Sequence, residues 1–139
     1  MPIKIGVTGT FCAGKDTFAN YLIEKHGFTH LSLSDMLREE LKKHGIPLTR
    51  ENLQREGTRL REAEGNYALA RRALQAMEDD KNYIISSIRN PLEIKELSQA
   101  KQFTLVAVEA PAEMRFERMV ARGRKESEPD SFESFREAE

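Results

Sequence analysis

The stretch Gly9-Thr10-Phe11-Cys12-Ala13-Gly14-Lys15-Asp16-Thr17 carries the residue types needed to hold a chain of phosphates. Gly9 and Gly14 allow backbone turns that a Cβ would oppose, so successive N–H groups can point inward at anionic oxygens. Lys15 adds a point charge, and a helix starting beside it adds its positive end. After a Gly-Lys pair the usual residue is a Ser or Thr that ligates Mg²⁺. Here Asp16 stands in that place, with a hydroxyl one position later at Thr17. A carboxylate next to polyphosphate is repelled unless a cation lies between them, so Asp16 is read as acting through Mg²⁺ or its waters. Cys12, the single cysteine, is read as a passive member of a loop that recognises phosphate through its backbone.

Such a loop works only when a strand delivers it and a helix leaves it. Residues 3–8 read as a buried strand, and Phe18-Ala19-Asn20-Tyr21-Leu22-Ile23 as the start of a helix closed by Gly27. A second strand is expected over 28–33, then a helix through 36–43 capped by Ser34 or Asp35 and broken at Gly45-Ile46-Pro47. Thr49 opens a further helix, with Asn52 where a capping box prefers Glu or Gln. After a polar stretch and Gly65, the spacing of Leu69, Ala70, Ala73, Leu74 and Met77 is helical. Residues 83–88 read as a third strand, followed by a short helix with Pro91 in its first turn. Residues 103–108 form a fourth strand whose nearly continuous apolar run suits burial on both faces. A helix over 112–120, a charged segment at 122–130 and a helical tail from Ser131 complete the chain.

Strands alternating with helices define an α/β class with a doubly wound parallel sheet and right-handed crossovers. Ligands in such sheets sit beyond the carboxyl ends of the strands, where the segments 9–17, 34–38, 86–91 and 110–111 all fall.

The 139 residues suit one domain with a real core. Charged residues make up 32% of the chain but the net charge is only -1, so no global field draws in nucleic acid or a membrane surface. No apolar run approaches the roughly 20 residues of a membrane helix. The amino terminus lacks the basic and apolar regions of a signal peptide, and one cysteine cannot form an internal disulfide, so a cytoplasmic protein is expected.

These segments together resemble the P-loop nucleoside monophosphate kinase superfamily, and within it an archaeal group of uncharacterised proteins related to adenylate kinase and dephospho-CoA kinase. The resemblance rests on Gly-Val-Thr-Gly at 6–9, Ala-Gly-Lys-Asp-Thr at 13–17, Ser-Asp-Met-Leu-Arg-Glu-Glu at 34–40, Ile-Arg-Asn-Pro at 88–91, Glu-Ala-Pro at 109–111, Arg-Phe-Glu-Arg at 115–118 and Arg-Gly-Arg at 122–124. It implies a three-layer fold with strand order 2-3-1-4 that uses ATP and Mg²⁺ to phosphorylate a small phosphorylated acceptor. On that pattern Lys15 holds the β and γ phosphates, while Arg38 and Arg89 grip the acceptor phosphate with their planar forks. Asp35 matches an acid that orients metal-bound water, joining Asp16 and Thr17 on the metal side. Arg118, Arg122 and Arg124 fall in a lid at about 118–131, and the acceptor-binding arm spans about 36–77. Lys15, Arg38, Arg89 and Arg122 are thus the candidate catalytic set, and Arg118 joins the residues facing ATP. Arg55, Arg59 and Arg61 on the arm are read as surface charges.

The chain departs from the pattern twice. Ser86-Ser87 stands where relatives often carry Asp-Gly, so Asp16 is expected to supply the compensating charge. Relatives also continue through one more strand and helix. The expectation is a domain incomplete at its carboxyl end, with strand four as an exposed edge for a partner domain or a second copy. A nucleoside or deoxynucleoside monophosphate is the leading acceptor, dephospho-CoA the alternative, and a nucleotide-binding regulatory module without turnover stands beside both.

Overall fold

The computed structural model describes residues 2–123 and 128–138. Four parallel strands form one sheet, β1 (Lys4–Gly9), β2 (Thr29–Ser32), β3 (Tyr83–Ser86) and β4 (Phe103–Val108), in the order β2-β3-β1-β4. The expected strand order is therefore the observed one. Between the strands run α1 (Lys15–His26), α2 (Leu33–Lys43), α3 (Arg50–Glu64), α4 (Ala68–Ala76) and α5 (Pro91–Leu97), and after β4 come α6 (Ala112–Ala121) and α7 (Phe132–Glu137).

Alternation along β3 divides the core between two faces. Ile85 faces a cluster with Leu33, Leu37, Leu60, Leu69 and Leu97 from α2 to α5. Ile84 faces the opposite way, onto Val7, Ala19 and Phe28 beside α1. Helices cover both faces of the sheet, which gives the three layers. Gly6 sits in the central strand, where an added Cβ would lie 2.9 Å from the Phe103 ring and 3.1 Å from Ile88, so close packing across β1 excludes a side chain.

The structure corrects several boundaries. The cap of α2 is at Ser32, not at Ser34 or Asp35: the helix begins at Leu33, which is fully buried, and this starts the helix two residues before the polar signal. Strand β3 stops at Ser86 because Ser87 takes a positive φ of 62°, which a strand cannot continue. Strand β4 is not buried on both faces. It pairs with β1 alone at the edge of the sheet, and Leu105 is 41% exposed. The first part of the expected lid is helix, since α6 runs to Ala121 and carries Arg118. Arg124, also assigned to that lid, lies outside the described residues.

Candidate functional site

The phosphate-binding loop leaves β1 at Gly9 and enters α1 at Lys15. Its curvature comes from three left-handed residues: Gly9 at φ 154°, Cys12 at 61° and Gly14 at 111°. Space and conformation both require glycine at position 9, since a Cβ there would come within 2.2 Å of the Val108 carbonyl oxygen at the end of β4. Inside the loop, Ala13 N–H donates to the Thr10 carbonyl at 3.1 Å, and Lys15 Nζ donates to the Gly9 carbonyl at 2.8 Å. Lys15 is therefore folded back over the concave side of its own loop.

Helix α6 closes the other side. Arg118 Nη1 donates to the carbonyls of Ala13 at 2.9 Å and Cys12 at 3.2 Å, fastening the helix to the loop from outside. Arg122 stacks over the Phe11 ring at 5.4 Å and pairs with Glu128, which raises its already high pKa chiefly through that hydrogen bond and secondarily through Cys12. A cleft of about 410 Å³ is lined by residues 12–17 together with Arg118 and Arg122. It holds three cations against one carboxylate, Asp16, a balance that fits a polyphosphate chain carrying a divalent metal. Asp16 and Thr17 both line it, so a metal in this cleft would have a carboxylate and a hydroxyl within the lining. Among the described residues no three acidic, His or Cys side chains gather into a metal cage.

The aromatic support of this loop was not visible in the sequence. Phe11 packs against Phe135 of α7 with ring centroids 6.3 Å apart, and Phe135 also meets Phe116 of α6 at 5.6 Å. Buried Arg115 lies over the Phe135 ring at 5.4 Å and donates to the Ala110 carbonyl at 2.9 Å, joining the end of β4 to the loop.

After β2, Arg38 leaves the first turns of α2 and donates to Asp35 at 2.6 Å and to Ser34 Oγ at 3.1 Å. Asp35 is thus engaged by the arginine, and it does not line the donor cleft with Asp16 and Thr17. Arg89 follows β3, and no acid among the described residues pairs with its exposed guanidinium. Its backbone is held instead: Glu93, fully buried in α5, accepts from the N–H groups of Arg89 at 2.7 Å and Asn90 at 3.1 Å, while Asn90 Oδ1 accepts from Glu93 N–H. This reciprocal cap fixes the direction in which Arg89 leaves the sheet. At Ser86-Ser87 the hydroxyls are engaged within the fold: Ser87 Oγ bonds Ser32 Oγ at 2.8 Å, and Ser86 Oγ bonds His30 at 2.7 Å.

Arg38 and Arg89 line a second cleft, of about 580 Å³, against α3. Arg61 lines it too, half-buried beside Gly57, so it is not the simple surface charge expected. Arg50 joins it from the start of α3. Arg59 instead pairs with Glu56, and Arg55 lies on the outer face of the helix with Glu51 and Glu62. Between the two clefts runs a narrow strip lined by Lys15 and Asp16 on one side and by Ser86, Ser87 and Arg89 on the other.

Fold and site together define a P-loop protein with a kinase-like fold. Residues 5–139 match the family model described as an AAA domain. Within that class the chain belongs to the UPF0200 family. It is 36% identical to a UPF0200 protein of Thermococcus onnurineus over 94% of this chain and 74% of that one, and 34% identical to one of Methanocaldococcus jannaschii over 89% and 64%. Among solved structures, its fold resembles that of a candidate kinase from Chloroflexus aurantiacus, with a TM-score of 0.58 at 21% identity, covering 96% of this chain and 74% of the other. A protein from Eubacterium ventriosum gives a TM-score of 0.56 at 15% identity, over 98% and 68%. No helix among the described residues is long and apolar enough to cross a membrane.

Proposed function

We propose that the protein is an ATP- and Mg²⁺-dependent phosphotransferase acting on a small phosphorylated acceptor, with nucleoside and deoxynucleoside monophosphates as the leading class. The observation that carries this reading is the junction of the two clefts, where Lys15 and Asp16 face Ser87 and Arg89 across a single strip. A molecule on Arg38 and Arg89 would present its phosphate oxygen toward the end of the polyphosphate cradle, as in-line transfer requires.

In this reading bound Mg²⁺ supplies charge neutralisation on the transferring group. The N–H groups of the loop and Lys15 hold the donor phosphates, and Asp16 with Thr17 positions the metal. Arg38 and Arg89 orient the acceptor by bidentate hydrogen bonds. Arg122 lies beside the donor cleft, where it would add charge stabilisation and exclude water. The hydroxyls at Ser86 and Ser87, in place of a carboxylate, give weight to a second reading, a nucleotide-binding module without turnover.

The test is ATP consumption with Mg²⁺ against nucleoside and deoxynucleoside monophosphates, nucleoside bisphosphates and dephospho-CoA, with Lys15→Ala as control. Turnover with one acceptor that disappears in the control supports the kinase reading and names the substrate. ATP binding without transfer to any acceptor moves the assignment to the regulatory module.

A further inference from the structure

We propose that the acceptor cleft contains a second anion subsite, built by Arg50 and Arg61 on α3, and that the acceptor carries a second anionic group besides the phosphate held by Arg38 and Arg89. This rests on the phosphotransferase reading above, whose acceptor class it narrows.

The first support is the charge balance of the cleft. Arg38, Arg50, Arg61 and Arg89 line it, and no Asp or Glu does. Asp35 neutralises Arg38 from outside the wall, and no acid among the described residues pairs with Arg50, Arg61 or Arg89. Four guanidiniums less one carboxylate leave three positive charges. A phosphomonoester brings about −1.5 to −2. One such group leaves the cleft with surplus positive charge, and a second anion removes it.

The second support is how α3 is arranged. Arg50, Leu53, Gln54, Gly57 and Arg61 recur at intervals of three and four, so they form one stripe, and all line the cleft. Glu51 and Glu62 fall on the other face. Arg61 lies eleven positions after Arg50, about 16 Å along a helix axis. The two arginines of α3 are therefore set well apart along the helical wall of the cleft. Between its ends, Leu37, Leu53 and Leu69 offer an apolar surface suited to a ring.

The third support is Gly57. It lies in mid-helix, where glycine costs about 0.5–1 kcal/mol relative to alanine. An added Cβ would stand 3.1 Å from Arg61 Nη1 and 3.5 Å from Leu37 Cδ1. The glycine leaves room for the Arg61 guanidinium to lie across the helix at the cleft wall.

The class of acceptor that matches is a nucleoside bisphosphate, or a molecule of similar size with two separated phosphates. Calorimetric titration of the full chain compares nucleoside 5′-monophosphates with the corresponding 3′,5′-bisphosphates for all four bases. At least one bisphosphate is expected to bind about ten- to hundredfold tighter than its monophosphate, the range for an added charge-assisted contact. That ratio collapses toward one in Arg50→Ala/Arg61→Ala, whereas Arg38→Ala weakens both ligands and keeps the ratio. The exposed Arg50→Gln alone is the arm least able to disturb folding, and thermal midpoints check all variants. The inference is overturned if no bisphosphate binds better than its monophosphate, or if the ratio survives the double substitution. Binding is read without turnover, so the two readings fail separately. Transfer without a bisphosphate preference sinks this inference, and a preference without transfer sinks the kinase assignment.

Discussion

At the scale of single residues, Asp16 is where the chain departs most from the usual phosphate-binding loop. It lines both the donor cleft and the strip that leads to Arg89, the one carboxylate in either. If it positions the metal, Asp16→Asn keeps the shape but loses the charge. The expected result is an apparent Mg²⁺ requirement raised about tenfold or more, consistent with losing an interaction of roughly 1.4 kcal/mol. Titrating Mg²⁺ at saturating ATP checks this, and an unchanged Mg²⁺ requirement in Asp16→Asn would count against the role. Gly9 has a different kind of necessity. A methyl group there meets the Val108 carbonyl oxygen at 2.2 Å, and the φ of 154° is one that L side chains rarely adopt. Gly9→Ala is expected to cost about 2–4 kcal/mol in stability and to abolish ATP binding, because loop and strand cannot both keep their places. Chemical denaturation with and without ATP reads both effects, and an unchanged midpoint would show that the loop is free to shift.

At the scale of elements, α5 holds the backbone of Arg89, the arginine proposed to grip the acceptor, through Glu93. Glu93 Oε1 takes two backbone N–H groups, from Arg89 and Asn90, while Oε2 is buried without a partner. Glu93→Ala strands both donors at about 1–3 kcal/mol for each one buried and unsatisfied. The expected signature is a lower unfolding midpoint together with a raised KM for the acceptor and an unchanged KM for ATP. Equal damage to both constants would instead mean general loosening of the fold. This element also marks the limit of what the chain discloses in advance. The glycines, Lys15 and the strand periods declare themselves through backbone conformation and short-range alternation, so the sheet order and donor loop were legible. Nothing in the sequence marks Glu93, because its role depends on burial that periodicity does not report. Arg61 was hidden for the same reason: its charge was plain, but the direction of its stripe was set by Leu37 and Gly57 packing across two helices. The start of α2 was misread because Leu33 pulls the helix inward ahead of the polar signal at Ser34 and Asp35. The aromatic contact between Phe11 and Phe135 joins positions far apart in the chain, beyond the reach of local patterns.

At the scale of the whole molecule, the arm formed by α2, α3 and α4 is tied together by ion pairs as well as by its apolar packing. Arg72 of α4 ties three helices together, donating to Glu64 of α3 at 2.7 Å and to Glu40 of α2 at 3.3 Å. Arg59 makes a second pair with Glu56 within α3. The Glu64 carboxyl lies below its ordinary range because of the Arg72 hydrogen bond, and the charges of Arg59 and Arg71 act in the same direction. Glu56 is lowered chiefly by its hydrogen bond to Arg59, against the cost of burial, with the charges of His44 and Arg72 assisting. A carboxyl whose folded pKa is depressed stabilises the fold above the unfolded value of about 4.3, and that contribution disappears as pH falls through the folded values. The arm is therefore expected to loosen in acid below about pH 4.3, with salt reducing the effect because Glu64 is substantially exposed. Arg72→Met keeps much of the apolar stem while removing the charge, so Glu64 loses its main reason to titrate low. Unfolding midpoints followed from neutral pH into this acid range should fall less steeply for Arg72→Met than for the native chain, with the Glu56 part of the slope retained. Parallel slopes for the two proteins would show that the clamp is a surface pairing of no consequence and that the arm is held by the Leu37–Leu60–Leu69 packing alone.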